Sequence, residues 1–525
     1  MRNSSLPRAA CALALAIGTA LMVGCTPGPA YVRPSIQVPD QFKEAAATAP
    51  QAQHAAPGWV PADPRDTAKR GDWWTPFNDG TLNALEARVD AGNQSIARSL
   101  ANLQAAKAAA KEARAAYYPT ITAGVDANRN RTSQNVVGRS LAGKTVSDYA
   151  AGLDVSWEPD LFDRIGHQVD AATARYQADE ADLASIRLAM HAELAIDYVD
   201  LRSVDAETAL LQQTVADYTK ARDLVKVRFA GGIASESDLA EAETQLQVAS
   251  AQLVDLGESR ARYEHAIAML MGVAPAELSI PVSTAEIAMP AVPPGLPSTL
   301  LQRRPDIAAA ERRVAAANAD VGEATSAFFP DLLLSASGGV EASRFTQLAT
   351  LPSRFWAIGP ALVTTLFDGG RRKQELHQAE AREEGAAADY RQTVLSAFQD
   401  VEDNLSSVRV LSDEAGTQQR AVAAAGLAET LALARYKAGA TDYLEVVTTQ
   451  SVSLDQRRVY VELSRRQLES DIRLIKAIGG NWSADGLSNV PTDGASPTSG
   501  PLDRREQRSL ANTVAVKKGS MATQD

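Results

Sequence analysis

A chain of 525 residues has room for two or three domains or for one elongated one. Hydrophobic residues make up 45% of it but aromatics only 5%, so Ala, Leu and Val carry the apolar content and favour helices packed through small side chains. A formal charge of −12 argues against a nucleic-acid partner, which requires clustered Lys and Arg on a basic surface.

The chain begins with Arg2 and Arg8 ahead of the run AACALALAIGTALMV, an apolar core too short for an ordinary membrane span, which ends at MVGC. This looks like a bacterial lipoprotein signal over residues 1–24, cut before Cys25, whose thiol and new amino terminus would be acylated. Met22 stands where such signals usually carry Leu. Cleavage would also remove Cys11 and leave Cys25 alone, so no disulfide within the chain is expected. The covalent lipid on Cys25 is the sole prosthetic group expected, with no cofactor and no metal. After the signal no stretch reaches 18 consecutive apolar residues, so any membrane crossing must use strands. Residues 25–70, rich in Pro, Ala and Gln, read as an extended leader.

From residue 71 the sequence GDWWTPFNDGTLNALEARVDAGNQSIARSLANLQ carries Leu82, Leu85, Val89, Ile96, Leu100 and Leu103 at helical spacing, one stripe that Pro119 ends. Then AYYPTITAGVDAN (116–128) switches to alternation, with Ile121, Ala123, Val125 and Ala127 opposite Thr120, Thr122, Gly124, Asp126 and Asn128. In YAAGLDVSW (149–157), Tyr149, Ala151, Leu153, Val155 and Trp157 share one face. A long helical run follows over 164–229, a Gly-containing turn VRFAGGIASESDL, and a shorter helix over 236–271. No proline interrupts the chain between Pro159 and Pro275. At 1.5 Å per residue the long run reaches on the order of 100 Å, too long for a compact globule, so it must pack lengthwise in a coiled-coil-like array.

A Pro-dense break spans 275–297, and then the plan repeats. LLQRRPDIAAAERRVAAANADVGEATSAFFP (300–330) is a helix opened near Pro305. Strand-like stretches follow at 330–340 and 354–366, a long helix at 371–437, a turn ARYKAGATDYL and a helix at 442–478. Pro119 and Pro330 are 211 residues apart, the two LFD triplets 205, and Arg228-Phe229 and Arg435-Tyr436 207. Such drifting offsets are what loop insertions in a duplicated unit produce. Residues 71–274 and 298–480 are therefore two copies of helix, two strands, long helix, tip and helix, and 481–525 reads as a disordered tail.

By pattern alone each strand pair serves equally to cover a soluble core. Four strands cannot close a barrel, and an open edge cannot sit in lipid, but three chains would supply twelve strands. The residues GDWWTPFNDGTLNAL (71–85), LLQRRPDIAAAERRVAAANADVGEATSAFFP (300–330), both LFD turns and both Gly tips resemble the TolC-like outer-membrane channels of tripartite efflux pumps. The similarity is to the lipoprotein branch serving resistance-nodulation-division transporters, and it runs from about residue 25 to 482. It implies a mainly α fold with a membrane β-barrel: a homotrimer in which four strands per chain build a 12-stranded barrel in the outer-membrane lipid. Long helical hairpins would form a periplasmic α-barrel, with an equatorial girdle from 275–297. It further implies a passive exit duct for small molecules, drugs or toxic compounds, docked to a periplasmic adaptor (membrane fusion) protein and an inner-membrane transporter.

By the same resemblance Arg228, Phe229, Gly232, Arg435, Tyr436 and Gly439 are tip positions that would meet the adaptor. Glu445, with Asp238 and Glu241 in the first copy, would constrict the periplasmic mouth. Thr448 stands where the family's second acidic residue is expected. Each carboxylate is equally suited to a solvated helix start, where the dipole favours negative charge. Catalysis finds no support: five scattered histidines lack metal spacing, and HAELAID (191–197) and HQAEAREE (377–384) read as solvated faces. A type I protein-secretion channel of the same architecture and a pore-less periplasmic coiled-coil lipoprotein stay open as alternatives.

Overall fold

The computed structural model describes residues 27–48, 72–135, 141–290 and 297–480, together with Trp482 and Leu487. The expected signal segment, Cys25 and nearly all of the expected tail lie outside the described residues, as does 49–71 of the leader. In chain order the elements are α1 Lys43–Thr48, α2 Gly80–Gly92, α3 Gln94–Ala115, β1 Thr120–Arg131, β2 Thr145–Trp157, α4 Arg164–Ala230 and α5 Glu236–Leu270. There follow α6 Pro297–Arg303, α7 Pro305–Ser326, β3 Asp331–Ala342, β4 Arg354–Val363, α8 Arg371–Lys437 and α9 Tyr443–Ala477. Among the described residues no helix is long and apolar enough to cross a membrane.

The internal duplication is metrical. α3 and α7 have 22 residues each, α4 and α8 have 67 each, and α5 and α9 have 35 each. At 67 residues each long helix is about 100 Å in length, and it folds back antiparallel on its short partner, α4 on α5 and α8 on α9. Both LFD triplets sit where a strand hands over to a long helix. In the first, Asp160 accepts the N–H groups of Ile165 and Gly166, and Phe162 stacks on Phe329 at 5.0 Å. In the second, Arg372 collects the carbonyls of Thr365 and Ala327 and the Asp368 carboxylate, which ends β4 at Val363 rather than 366.

The stripe from Leu82 to Leu103 is two helices and not one. Asn93 ends α2 and caps α3, its Oδ1 accepting from the N–H groups of Ser95 and Ile96. Its Nδ2 donates to Leu270 O at 2.8 Å, so the break is locked onto the end of α5. Leu82, Leu85, Val89 and Ile96 pack with Trp73, Phe77, Tyr198, Leu201, Ile267 and Ile472 in the largest buried cluster. That cluster fastens the start of the first copy to the two return helices. The segment after α5 is tied down by charge: Arg202 and Arg260 donate to the carbonyls of Pro281 and Ile280, and both pair with buried Asp205.

The described part of the leader, residues 27–48, is tied to the helices at several points. His167 Nε2 lies 3.0 Å from Pro27 O, Tyr31 bonds Glu311, and Arg391 reaches Ser35 O at 3.5 Å. The leader then turns into α1, whose first N–H groups, at Lys43 and Glu44, donate to the Glu402 carboxylate at 2.7 and 3.0 Å. Phe42, 2% exposed, fills a second core with Ile307, Tyr390 and Val394.

His191 is not on a solvated face. It is buried against Glu86, with Nδ1 and Oε2 2.6 Å apart, under the ring of Trp74 at 4.7 Å. Asp90 lies 3.6 Å from Nε2 and is itself paired with Arg187. Burial pushes Glu86 up from 4.5 to about 7, partly offset by His191, and the other oxygen of Glu86 has no hydrogen-bond partner among the described residues. Burial alone would lower His191, but the hydrogen bond and charge of Glu86 outweigh it and hold the imidazole above its ordinary value. Both groups bind protons more tightly folded than unfolded. Their contribution is present below the unfolded values and is lost as pH rises through the folded ones. The apparent melting temperature is therefore expected to fall between about pH 5 and 8. Glu86→Gln should flatten that slope by removing a linkage of about 3 kcal/mol. Identical slopes in thermal scans of the two proteins would contradict this assignment.

Candidate functional site

Two regions stand out, at opposite ends of α4 and α8. The first is the four-stranded antiparallel sheet, ordered β1-β2-β3-β4. Its ladders run without a bulge from Thr120↔Ser156 to Arg131↔Thr145, from Tyr149↔Ala342 to Trp157↔Leu334, and from Asp331↔Val363 to Val340↔Arg354. Because directly paired residues share a face, cross-strand rows can be read off. One face carries Trp157–Leu334–Pro360, then Ile121–Val155–Ala336–Ile358, then Ala123–Leu153–Gly338–Trp356, then Val125–Ala151–Val340–Arg354 and Ala127–Tyr149–Ala342, with Arg354 the one charge in these five rows. The other face carries Thr120–Ser156–Ser335, Thr122–Asp154–Ser337 and Gly124–Gly152–Gly339. Gly339 is required there, since a Cβ would lie 2.2 Å from Ala151 O.

Among the described residues nothing covers the apolar face. Val125, Trp356 and Ile358 are 85%, 78% and 76% exposed, and β1 and β4 are open edges. An uncovered apolar surface of this kind marks contact with a membrane or a partner. From Trp157 to Tyr149 the apolar rows span about 27 Å along a strand, or about 20 Å at barrel tilt, close to the apolar band of an outer-membrane barrel. Tyr149, Trp157 and Trp356 lie on this face, as interfacial aromatics do.

The second region is the pair of tips, which are the same turn made twice. Gly232 has φ +70 and Gly439 φ +75, the left-handed conformation that closes a helix end. Gly232 N–H donates to Phe229 O and Gly439 N–H to Tyr436 O, both at 2.9 Å. Ile233 N–H donates to Arg228 O, and Ala440 N–H to Arg435 O. The sequence-predicted tip residues are thus brought together, but in different roles. Arg228 crosses from one tip to the other: its Nη1 donates to Tyr436 O at 2.7 Å and its guanidinium lies 4.6 Å over the Tyr436 ring. Tyr436 is only 4% exposed and packs at 5.2 Å on Tyr443 in a small core with Val225, Ala242 and Val446. Burial, with Tyr436, Tyr218, Glu241 and Asp238 nearby, pushes the Tyr443 phenol up to about 12. Phe229 is 41% exposed.

The three predicted mouth carboxylates do not form one ring within a single chain. Glu445 is held by Arg435 at 2.7 Å, by the Thr441 hydroxyl and, through its N–H, by the Asp442 cap. Asp238 is the return partner of Ser235 in a capping box at the start of α5. Glu241 sits on the groove between α5 and α9, and its Oε2 is buried without a hydrogen-bond partner among the described residues. Sequence reasoning missed Val227, Ile233 and Leu444, apolar residues that are 71%, 71% and 57% exposed at the tips. The signal for them was an apolar residue in a stretch otherwise built for a turn.

A family model described as outer membrane efflux protein matches residues 86–273 and 296–480, once on each copy of the repeat. The outer membrane protein OprJ of Pseudomonas aeruginosa is 31% identical over 485 residues, covering 92% of this chain and 97% of that protein. The toluene efflux pump outer membrane protein TtgF of Pseudomonas putida is 30% identical, covering 91% and 98%. Among solved structures, the outer-membrane channel OprN superposes with a TM-score of 0.80 at 29% identity, covering 87% of this chain and 99% of that one. With its duplicated helices, tips and membrane-suited sheet, the chain belongs to the outer membrane efflux protein family and is a transport channel of the outer membrane, not an enzyme.

Proposed function

We propose that three copies of the chain join their sheets edge to edge into a twelve-stranded barrel, and that the trimer is the passive exit duct of a tripartite pump. It would pass small toxic compounds, toluene being the one named for a relative, from periplasm to exterior. The observation that carries this is the sheet itself: a largely apolar face that no described residue covers, and two edges whose backbone groups need partners in a medium that offers none. Closure by β1 of one copy on β4 of the next satisfies every edge. The helices α4, α5, α8 and α9 then extend the wall away from the membrane, and the tips face the adaptor and the inner-membrane transporter.

Four features support the finer assignments. Pro27 is held against His167, one turn below the sheet end of α4. Cys25, two residues upstream, is then within reach of a membrane around the sheet, as a lipid anchor requires. The exposed Val227, Phe229, Ile233 and Leu444 offer an apolar docking surface for an adaptor. Glu445 on a threefold axis would bring three like charges together, and Arg435 supplies the cation that offsets their repulsion. The polar face of the sheet, lining the lumen, carries Asp126, Asp148, Asp154, Asp331 and Glu341 and favours cations.

Native mass measurement and planar-bilayer recording of the purified protein test this together. A trimer with discrete, cation-preferring conductance steps is expected, and a monomer without conductance would contradict the duct. In the same assay Arg228→Ala should raise the open probability. It removes a charge-assisted hydrogen bond of about 1.5–3 kcal/mol that ties the two tips, a shift of roughly tenfold or more in a closed-to-open ratio. Conductance unchanged from wild type would show that this tie does not hold the mouth closed.

A further inference from the structure

The sheet sorts its charges by sign. Its five carboxylates, Asp126, Asp148, Asp154, Asp331 and Glu341, all lie on the polar face, whereas its three guanidiniums, Arg129, Arg131 and Arg354, all lie on the apolar face. The register fixes this, because Arg129 pairs with Ser147, Arg131 with Thr145 and Arg354 with Val340, in line with Val125, Tyr149 and Trp356. All three arginines are exposed, and none makes a salt bridge among the described residues. They cluster at the end of the sheet away from the helices. Arg129 and Arg131 stand one and two rows past the Tyr149 row, and Arg354 stands one row before it, a distance that a long side chain can snorkel.

A guanidinium facing hydrocarbon is expensive, so these residues mark where the hydrocarbon stops. Had they served the sheet, a carboxylate would share their face, yet each of the five points the other way. We infer that this belt binds the phosphate groups of a phosphorylated lipid in the outer leaflet, through charge-assisted and bidentate guanidinium–phosphate bonds. The inference rests on the barrel reading above. In a trimer it gives nine guanidiniums near the outer rim, six above and three one row below an aromatic row in which Tyr149 meets Phe345 edge-on at 5.8 Å.

The test titrates the full-length protein with lipid A and with its dephosphorylated form, reading bound lipid by native mass spectrometry and trimer mass and bilayer conductance in the same preparations. The wild type should prefer the phosphorylated lipid, lose that preference with rising salt, and resist displacement by inorganic phosphate at equal phosphate concentration. The triple variant Arg129→Gln/Arg131→Gln/Arg354→Gln should bind lipid A at least about tenfold more weakly. Asp148→Asn/Glu341→Gln, on the lumen face, should bind as wild type does. If the triple variant fails to assemble, Arg131→Gln alone, at the far rim, should still weaken binding severalfold. Equal binding of the two lipid forms, unchanged binding in the arginine variants, or full displacement by free phosphate overturns the lipid site while conducting trimers leave the duct standing. Absence of both trimer and conductance overturns the barrel on which the site rests.

Discussion

A strand edge in hydrocarbon leaves backbone N–H and C=O groups with no partner, at several kcal/mol for each. Four strands with an apolar outer face and two such edges are therefore unstable in a membrane alone. The proposed trimer resolves this with its own repeat, since each copy of the duplicated unit brings one hairpin. The other dimensions follow from the same need. Strand rows of about 20 Å projected height match the apolar thickness, aromatics sit on the outward face, and glycines at 152 and 339 let the polar face close around a lumen. The pore is then set by strand number and not by any side chain that reacts.

The duplication also governs the other end. Two 67-residue helices of identical length carry two identical glycine turns to one level, where Arg228 meets the carbonyl of Tyr436 208 residues away. Small buried residues such as Ala242 and the Tyr436–Tyr443 contact hold the tips with a thin core. A thin core closed by one charged tie suits the opening mouth proposed above. The equatorial region is the opposite case, with its large apolar cluster and the buried Arg202, Asp205 and Arg260 network.

Much of this was written in the sequence where the signal is local and periodic. Pro119 and Pro330, the alternation after each, the uninterrupted helical runs and Gly232 and Gly439 placed the elements to within a few residues. Signals that depend on long-range partners were not legible. The stripe from Leu82 to Leu103 keeps its period through Asn93, so hydrophobicity alone hid a break that only the cap and the Leu270 carbonyl define. His191 looked solvated because Glu86, its partner, is 105 residues away. Tyr436 seemed outward until Arg228 was found above it. Of the carboxylates proposed for the mouth, the sequence placed Glu445 near a helix start but gave no sign of its bond to Arg435.

The alternation of lipid and lumen along β2 is the claim that everything else depends on, and it can be read residue by residue. Single cysteines placed at 151, 153 and 155 and at 152, 154 and 156 would be introduced into full-length protein in membranes. Cys11 and Cys25 are the only native cysteines, so with the signal removed and Cys25 acylated the background is clean. The account predicts a period of two: the odd positions protected from a water-soluble thiol reagent and labelled by a lipid-soluble one, and the even positions the reverse. Uniform labelling of all six by the water-soluble reagent would contradict the membrane barrel and leave the sheet a soluble cap on a coiled-coil protein.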